Sequence, residues 1–379
     1  MNKKEILEIR KSLTKENCAI TRICGCYVNH DKEIIFETKN AFLSLPEEEG
    51  FKYHDIFKHT LSGTIGKNLY DIEFPLEQES FGGTQDFLLK LRNSKLQDDD
   101  LIHDFYNRVI TNFEYPENYY IILIHSVYDV PGKTSDGFEN FDASDEVYDH
   151  ILCSICPVKL QKAGLSYDSE NNSIGESNRD WMVEAPIKGF LFPAFNDRAT
   201  DIHSLLYYSK NPKDLGESFI DAVIGSEIPI SSPGQKEVFN SIIEETFTES
   251  LDFETIREVH ENIQELIEDN KENPDPVKLS KEDVRKIFED AGVEEENIVS
   301  YEKAFVESVG ERTELQANNI TETKFSIKTP DIVIKVNPSR TDLVETRIID
   351  GRQCIVIAVD DHIQVNGIDV KTIKHTQAE

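Results

Sequence analysis

The sequence predicts an α+β protein made of an N-terminal mixed α/β domain, an acidic helical module and a small C-terminal antiparallel β meander. Charge is the first observation behind this. Residues 234–311 hold 23 Asp and Glu against 8 Lys and Arg, whereas residues 1–233 hold 39 against 23 and residues 312–379 hold 10 against 9. Hydrophobic period is the second: it is mixed at first, helical through the acidic stretch, and close to two afterwards. Length is the third, because 379 residues exceed what one core usually supports and imply two or three domains. The steps place them at 1–230, 234–311 and 312–379.

In the first part, Ile6, Ile9 and Leu13 fall at helical spacing. Two β-rich runs at 20–28 and 33–39 flank Asn29-His30-Asp31-Lys32, a loop of hairpin length. Pro46 introduces a helix ending near Gly63, since proline suits a first turn and glycine the position past a helix end. A short strand at 69–74 and Gly82-Gly83 precede a helix over 84–96 that carries Phe87, Leu88 and Leu91. Asp98 or Asp99 caps the clearest helix, whose stripe is Ile102, Phe105, Tyr106, Val109 and Ile110. The continuous apolar run 119–124 reads as a central strand covered on both faces, with further strands at 150–156, 187–195 and 204–209. Residues 131–147 and 166–180 read as long polar connecting loops, and Trp181 as a core anchor that pins the end of the second.

Residues 229–234 read as a linker, after which the helical period takes over. Val238, Ile242, Ile243 and Phe247 form one stripe, and Ile256, Val259, Ile263 and Leu266 form a second. Ser280 to Asp283 has the form of a capping box before Val284, Ile287 and Phe288. Gly292 ends that helix, and Tyr301, Phe305 and Val309 mark a fourth. Beyond about residue 321, DIVIKV, LVETRII, QCIVIAV and HIQVNGIDV alternate with turn residues. Asp350-Gly351 and Asn366-Gly367 are pairs that permit tight primed turns.

A net charge of −32 disfavours nucleic acid and anionic membrane surfaces as partners, because there is no basic run to replace counterions. No apolar run approaches the length of a membrane span or signal segment, and six cysteines are few for the length. Cytoplasm is the expected location.

The constellations that carry chemistry are sparse. Cys24, Cys26, Cys153 and Cys156 are read as buried thiols rather than a zinc site or redox pair, because Cys153 and Cys156 lie on opposite faces of a strand unless the chain turns at Pro157. Residues 62–67 fail the phosphate-loop pattern, with Leu61 and Asn68 at required positions, and Gly82-Gly83-Thr84 reads as an ordinary helix start. Acid and imidazole groups occur together at His125 with Asp129, at Asp197, Arg198, Asp201 and His203, and at Asp360-Asp361-His362, the last a plain turn. His125, Asp129, Asp197 and His203 are therefore the candidate catalytic residues of a metal-dependent hydrolase. No cofactor or resident metal is implied.

The segments ITRICGCYVN, TLSGTIGKNLYDIEF, ILCSICPVKLQKAGLSY, GFLFPAFNDRATDI and TPDIVIKVNPSRTDLVETRIIDGR together resemble an uncharacterised bacterial family, the domain of unknown function numbered four-three-one-seven. The resemblance runs from Met1 to about Val370. It implies that the three parts form a single recurrent unit, and it brings no activity, cofactor or catalytic residue with it.

The leading functional expectation is a cytoplasmic, non-enzymatic protein that binds another protein with a basic surface, its acidic helices steering the encounter. The alternatives are the hydrolase built on the four residues above, or an acidic mimic of nucleic acid.

Overall fold

The computed structural model describes the chain apart from residues 15–18, 134–138, 141–145, 170, 177–178, 248–251, 312, 323, 360–362 and 371–379. Cys18 and Asp360-Asp361-His362 lie outside the described residues. The fold is α+β, and the chain divides into two compact units, 1–234 and 235–379.

The first unit runs through α1 (Lys3–Ser12), β1 (Ile20–Val28), β2 (Ile34–Ala41), α2 (Glu47–Thr60), β3 (Leu69–Glu73), α3 (Thr84–Asn93), α4 (Asp99–Asn112), β4 (Tyr119–Val130) and β5 (Glu146–Leu160). It continues with β6 (Leu165–Asp168), β7 (Ser173–Glu176), β8 (Trp181–Val183), β9 (Lys188–Phe192), β10 (Ala194–Asn196), β11 (Ala199–Asp201) and β12 (Ser204–Ser209). One eight-stranded sheet in the order β2-β1-β4-β5-β9-β12-β3, with β8 alongside β5, forms its middle layer. Every pairing in it is antiparallel.

The alternation of side chains along each strand sorts the core onto two faces. On one face Cys24, Leu123, Cys153 and Phe190 pack under α3 and α4, whose Leu88, Leu91, Phe105 and Tyr106 are fully buried. On the other, Ile122, Ile124, Leu152 and Leu206 pack under α1 and α2. A sheet covered on both sides explains the unbroken apolar run in β4. The side chain of Asp98 caps α4 by accepting from the backbone of Asp100 and Leu101.

Three local readings need correction. Trp181 is 55% exposed, because β8 pairs only with the far end of β5 and leaves its side chains uncovered. The segment 166–180 is not a plain loop, since β6 and β7 pair within it. The linker at 229–234 already contains the start of a helix at Ser232, where Pro233 sits in the first turn and costs no hydrogen bond. Strand β5 also runs straight through Pro157, whose carbonyl accepts from the Glu184 N–H, so the chain does not turn there. Cys153 and Cys156 accordingly stay on opposite faces.

The second unit holds α5 (Ser232–Thr246), which begins just before it, α6 (Phe253–Asp269), α7 (Lys281–Asp290) and α8 (Glu295–Ser308). Ser280 and Asp283 form the capping box of α7, and Gly292 follows that helix with φ 74°. Short strands β13 (Lys278–Leu279) and β14 (Leu315–Gln316) pair across this unit. Six more strands form three separate hairpins: β15 (Phe325–Lys328) with β16 (Val333–Val336), β17 (Val344–Ile349) with β18 (Arg352–Ile357), and β19 (Ile363–Val365) with β20 (Ile368–Val370). The turns Asp350-Gly351 and Asn366-Gly367 have positive φ at both residues, as a primed turn requires.

Gly25 in β1 lies closely under side chains of both neighbouring strands, Thr38 of β2 and Tyr120 of β4. A Cβ there would lie 1.9 Å from the hydroxyl of Tyr120 and 2.7 Å from Thr38 Oγ1. Gly25→Ala is expected to lower stability by about 1–3 kcal/mol through overpacking, read as a lower thermal midpoint of unit 1. An unchanged midpoint would mean that Tyr120 is free to move aside.

Candidate functional site

The four sequence candidates go to separate surroundings. His125, on central strand β4, is fully buried. Asp129 is an exposed residue near the end of the same strand. Asp197 forms, with Arg198, the two-residue turn between β10 and β11, both at positive φ. His203 is exposed and bonded through Nδ1 to Glu79 at 2.7 Å, and that contact holds its pKa above the ordinary imidazole value. Among the described residues no group of three His, Cys, Asp or Glu side chains is placed to hold a metal ion.

His125 has a different set of neighbours from those expected. Its Nε2 lies 2.7 Å from Asp149 Oδ1 on β5, and its Nδ1 lies 2.7 Å from Thr21 Oγ1 on β1. Three adjacent strands thus contribute one side chain each. The register explains why: Ile20 pairs with Ser126 and Arg22 with His125, so Thr21 is the extra residue of a β-bulge. A bulge re-aims its side chain, and here the hydroxyl lands on the ring. Burial alone would raise the pKa of Asp149, but the hydrogen bond from His125 and the positive charge of Arg92 outweigh it and hold the carboxyl below its usual range. An ionised Asp149 accepts from Nε2–H, which assigns Nδ1 as acceptor of the Thr21 hydroxyl proton. Neither Thr21 nor Asp149 is signalled by spacing, because a bulge has no residue pattern of its own.

Lys188 is a buried ionisable group of the same unit, beside a cleft of about 700 Å³. Burial pushes its pKa down to about 8, against the pull of Asp214. Its Nζ donates to Ser209 Oγ at 3.0 Å and to the Asp214 carbonyl. These bonds make it a clamp on the 209–216 segment.

In the second unit a cleft of about 520 Å³ opens between α6 and the β15–β16 hairpin. Phe253, Ile256, Ile320, Phe325 and Ile327 give it an apolar floor. Phe253 and Phe325 meet edge to face at 5.9 Å, and Phe325 faces the His260 ring at 6.3 Å. Burial and the charge of Lys236 hold the pKa of His260 down, so the ring is neutral at pH 7. Polar groups converge at the rim: Lys236 bonds Glu322 at 2.6 Å, and Gln264 Nε2 donates to Thr321 Oγ1 and the Glu322 carbonyl. Ser326 Oγ is buried with no hydrogen-bond partner among the described residues. An apolar floor, a few convergent polar groups and a shifted imidazole are the usual marks of a binding pocket.

Comparison with known families gives one match, the description Domain of unknown function (DUF4317), over residues 1–368. The chain belongs to this family. A search of curated proteins finds no match. Since the family match runs through both units, the paired side chains of the first and the cleft of the second are parts of one family unit.

His150, next to Asp149, yields a pH test. It is fully buried, stacked on Tyr148 at 4.4 Å, and its Nε2 has no hydrogen-bond partner among the described residues. Burial lowers its pKa to about 4. The folded value lies below the unfolded value of about 6.5, so the unfolded chain binds the proton first as pH falls. The stability contribution is complete above about pH 6.5 and is lost on descent toward about pH 4. Denaturant titrations are expected to lose on the order of 2–4 kcal/mol over that window. His150→Phe is expected to flatten the slope, and an unflattened slope would assign it to other groups.

Proposed function

We propose that the protein is a cytoplasmic binding protein whose C-terminal unit docks another protein with a cationic surface. The observation that carries this reading is the combination, in one unit, of bare apolar strand faces with an uncompensated acidic exterior. Ile348 is 80% exposed and Ile368 70%, and Val333, Ile355 and Ile357 are exposed as well. In the β17–β18 register, Ile348, Ile355 and Ile357 share the face that begins at buried Val344. Isolated two-stranded hairpins are marginal in water, and an exposed apolar row of this kind marks an interaction surface.

The acidic helices supply the surrounding charge. Arg285 already holds Glu289 at 2.7 Å, Glu295 at 2.7 Å and Glu302 at 3.0 Å. With 23 acidic and 8 basic side chains over 234–311, most carboxylates have no cation to meet inside this stretch. They form a field that accelerates encounter with a basic partner and fails at high salt. The cleft floored by Phe253 and Phe325 receives an apolar anchor side chain of the partner, the arrangement that concentrates binding energy in most interfaces. No helix among the described residues is long and apolar enough to cross a membrane, and the buried, unpaired thiols of Cys24, Cys26, Cys153 and Cys156 fit a reducing compartment.

Immobilised protein is expected to capture a basic protein from a bacterial extract at low salt. The purified pair should associate more slowly as salt rises, and Phe325→Ala should weaken binding about tenfold or more. A capture that is indifferent both to salt and to Phe325→Ala, or no capture at low salt, would remove this reading.

A further inference from the structure

We propose that Thr21, His125 and Asp149 form an acyl-transfer site in the N-terminal unit, acting on small anionic carboxylic esters. This goes beyond the binding role assigned to the second unit and uses no residue of it.

The geometry is that of an activated hydroxyl. Thr21 Oγ1 lies 2.7 Å from His125 Nδ1, and His125 Nε2 lies 2.7 Å from Asp149 Oδ1. A nucleophile bonded to a base, with the base oriented by a third group, is the arrangement by which such sites are recognised on unrelated folds. Burial of His125 and the placing of Thr21 on a bulge fix both partners. Thr21 itself is exposed, so a substrate can reach its oxygen without displacing the ring behind it.

Beside Thr21 lies a pocket of about 260 Å³ lined by Thr21, Arg22, Ala41, Lys95 and Gln97. Arg22 and Lys95 are two of those five residues and none is acidic, in a chain of net charge −32. Arg22 Nε is buried with no hydrogen-bond partner among the described residues. Lys95 and Leu96, in the α3–α4 connection, both have positive φ, at 53° and 54°. Two successive non-glycine residues in that region are strained, and the strain is held by Leu96, which is fully buried. A small volume with cationic and amide donors selects a short acyl group bearing negative charge, and the same donors stabilise the oxyanion that forms on attack.

The step balances without any further reagent. Thr21 Oγ1 bonds to the acyl carbon while its proton passes to His125 Nδ1. The bond from acyl carbon to the leaving oxygen breaks, and that oxygen departs as an alcohol with the proton from Nδ1. Water then attacks the acyl–threonine ester, giving a proton to Nδ1, and the acid leaves as the proton returns to Thr21 Oγ1. His125 is the catalytic base, and Asp149 is a positioning residue that sets its tautomer.

The test uses the full chain with 4-nitrophenyl hemisuccinate, a small anionic activated ester, and 4-nitrophenyl acetate as its neutral counterpart. Expected are faster hydrolysis of the anionic ester and a succinyl adduct on the peptide containing Thr21 after acid quenching. Thr21→Val is expected to lose about 100-fold or more of the rate, while Thr21→Ser retains it. Asp149→Asn is expected to lower kcat with KM little changed. Thr21→Val leaves the buried His125 Nδ1 without its partner and is expected to melt somewhat lower than the parent, whereas Thr21→Ser keeps that bond and should melt like it; adduct mapping on the parent chain depends on no variant. Full rate in Thr21→Val, an adduct on another residue, or absence of both hydrolysis and adduct would overturn the proposal.

Discussion

The constraint on which the first unit depends is that its central strands are covered by helices on both faces, so a polar side chain within them has no water to turn to. An unpaired buried polar group costs on the order of 1–3 kcal/mol, and the sheet meets this by pairing across neighbouring elements. Ser154 bonds Thr60 at 2.7 Å, the Tyr148 hydroxyl donates to the Pro193 carbonyl at 2.5 Å, and Lys188 is held by Ser209 and Asp214. The Tyr106 and Tyr119 hydroxyls and His150 Nε2 are exceptions, with no partner among the described residues. His125 obeys the same rule, but its second partner sits on a bulge at the surface. A residue paired for stability is thereby also connected to solvent through one hydroxyl.

The second unit is governed by the opposite condition. Its helices are amphipathic, with Phe239, Ile263, Phe288 and Tyr301 buried, and the Arg285 cluster ties α7 to α8. Hairpins β17–β18 and β19–β20 keep the alternation of strands but leave most of their apolar side chains exposed, among them Ile348, Ile355, Ile357 and Ile368. Burial of an apolar side chain is worth roughly 1.5–3 kcal/mol, so each exposed isoleucine of β17 to β20 is stabilisation not yet realised. In the proposed binding role, a partner covering them would gain what the isolated chain leaves open.

Much of this was legible in the residues because the physical signals are local. The stripe from Ile102 to Ile110 is the buried face of α4, the run from Tyr119 is the central strand, and the capping box at Ser280 lies at the start of α7. The turns Asp350-Gly351 and Asn366-Gly367 sit where two left-handed residues are needed. What was hidden depends on register and on which elements meet. Nothing in the order of residues says that β5 passes through Pro157, because a neighbouring strand decides whether the missing N–H matters. Trp181 suggested a core anchor from its size alone, and its exposure follows from β8 having only one partner strand. His125 stood out by residue type, whereas its neighbours Thr21 and Asp149 are 104 and 24 residues away in sequence. Asp129, two residues from Val127, was the nearer acid in sequence, yet Val127 pairs with Asp149 across the sheet.

The contrast between a sheet sealed on both faces and hairpins left open on one is the central claim, and backbone hydrogen exchange of the isolated full-length chain measures it most directly. Amides of 119–126 and 150–156 should exchange only through global opening of unit 1, while those of 344–357 and 363–370 exchange orders of magnitude faster. Hairpin amides as slow as those of β4 in the protein alone would contradict it, since those strands would then already have the cover that the account assigns to a partner.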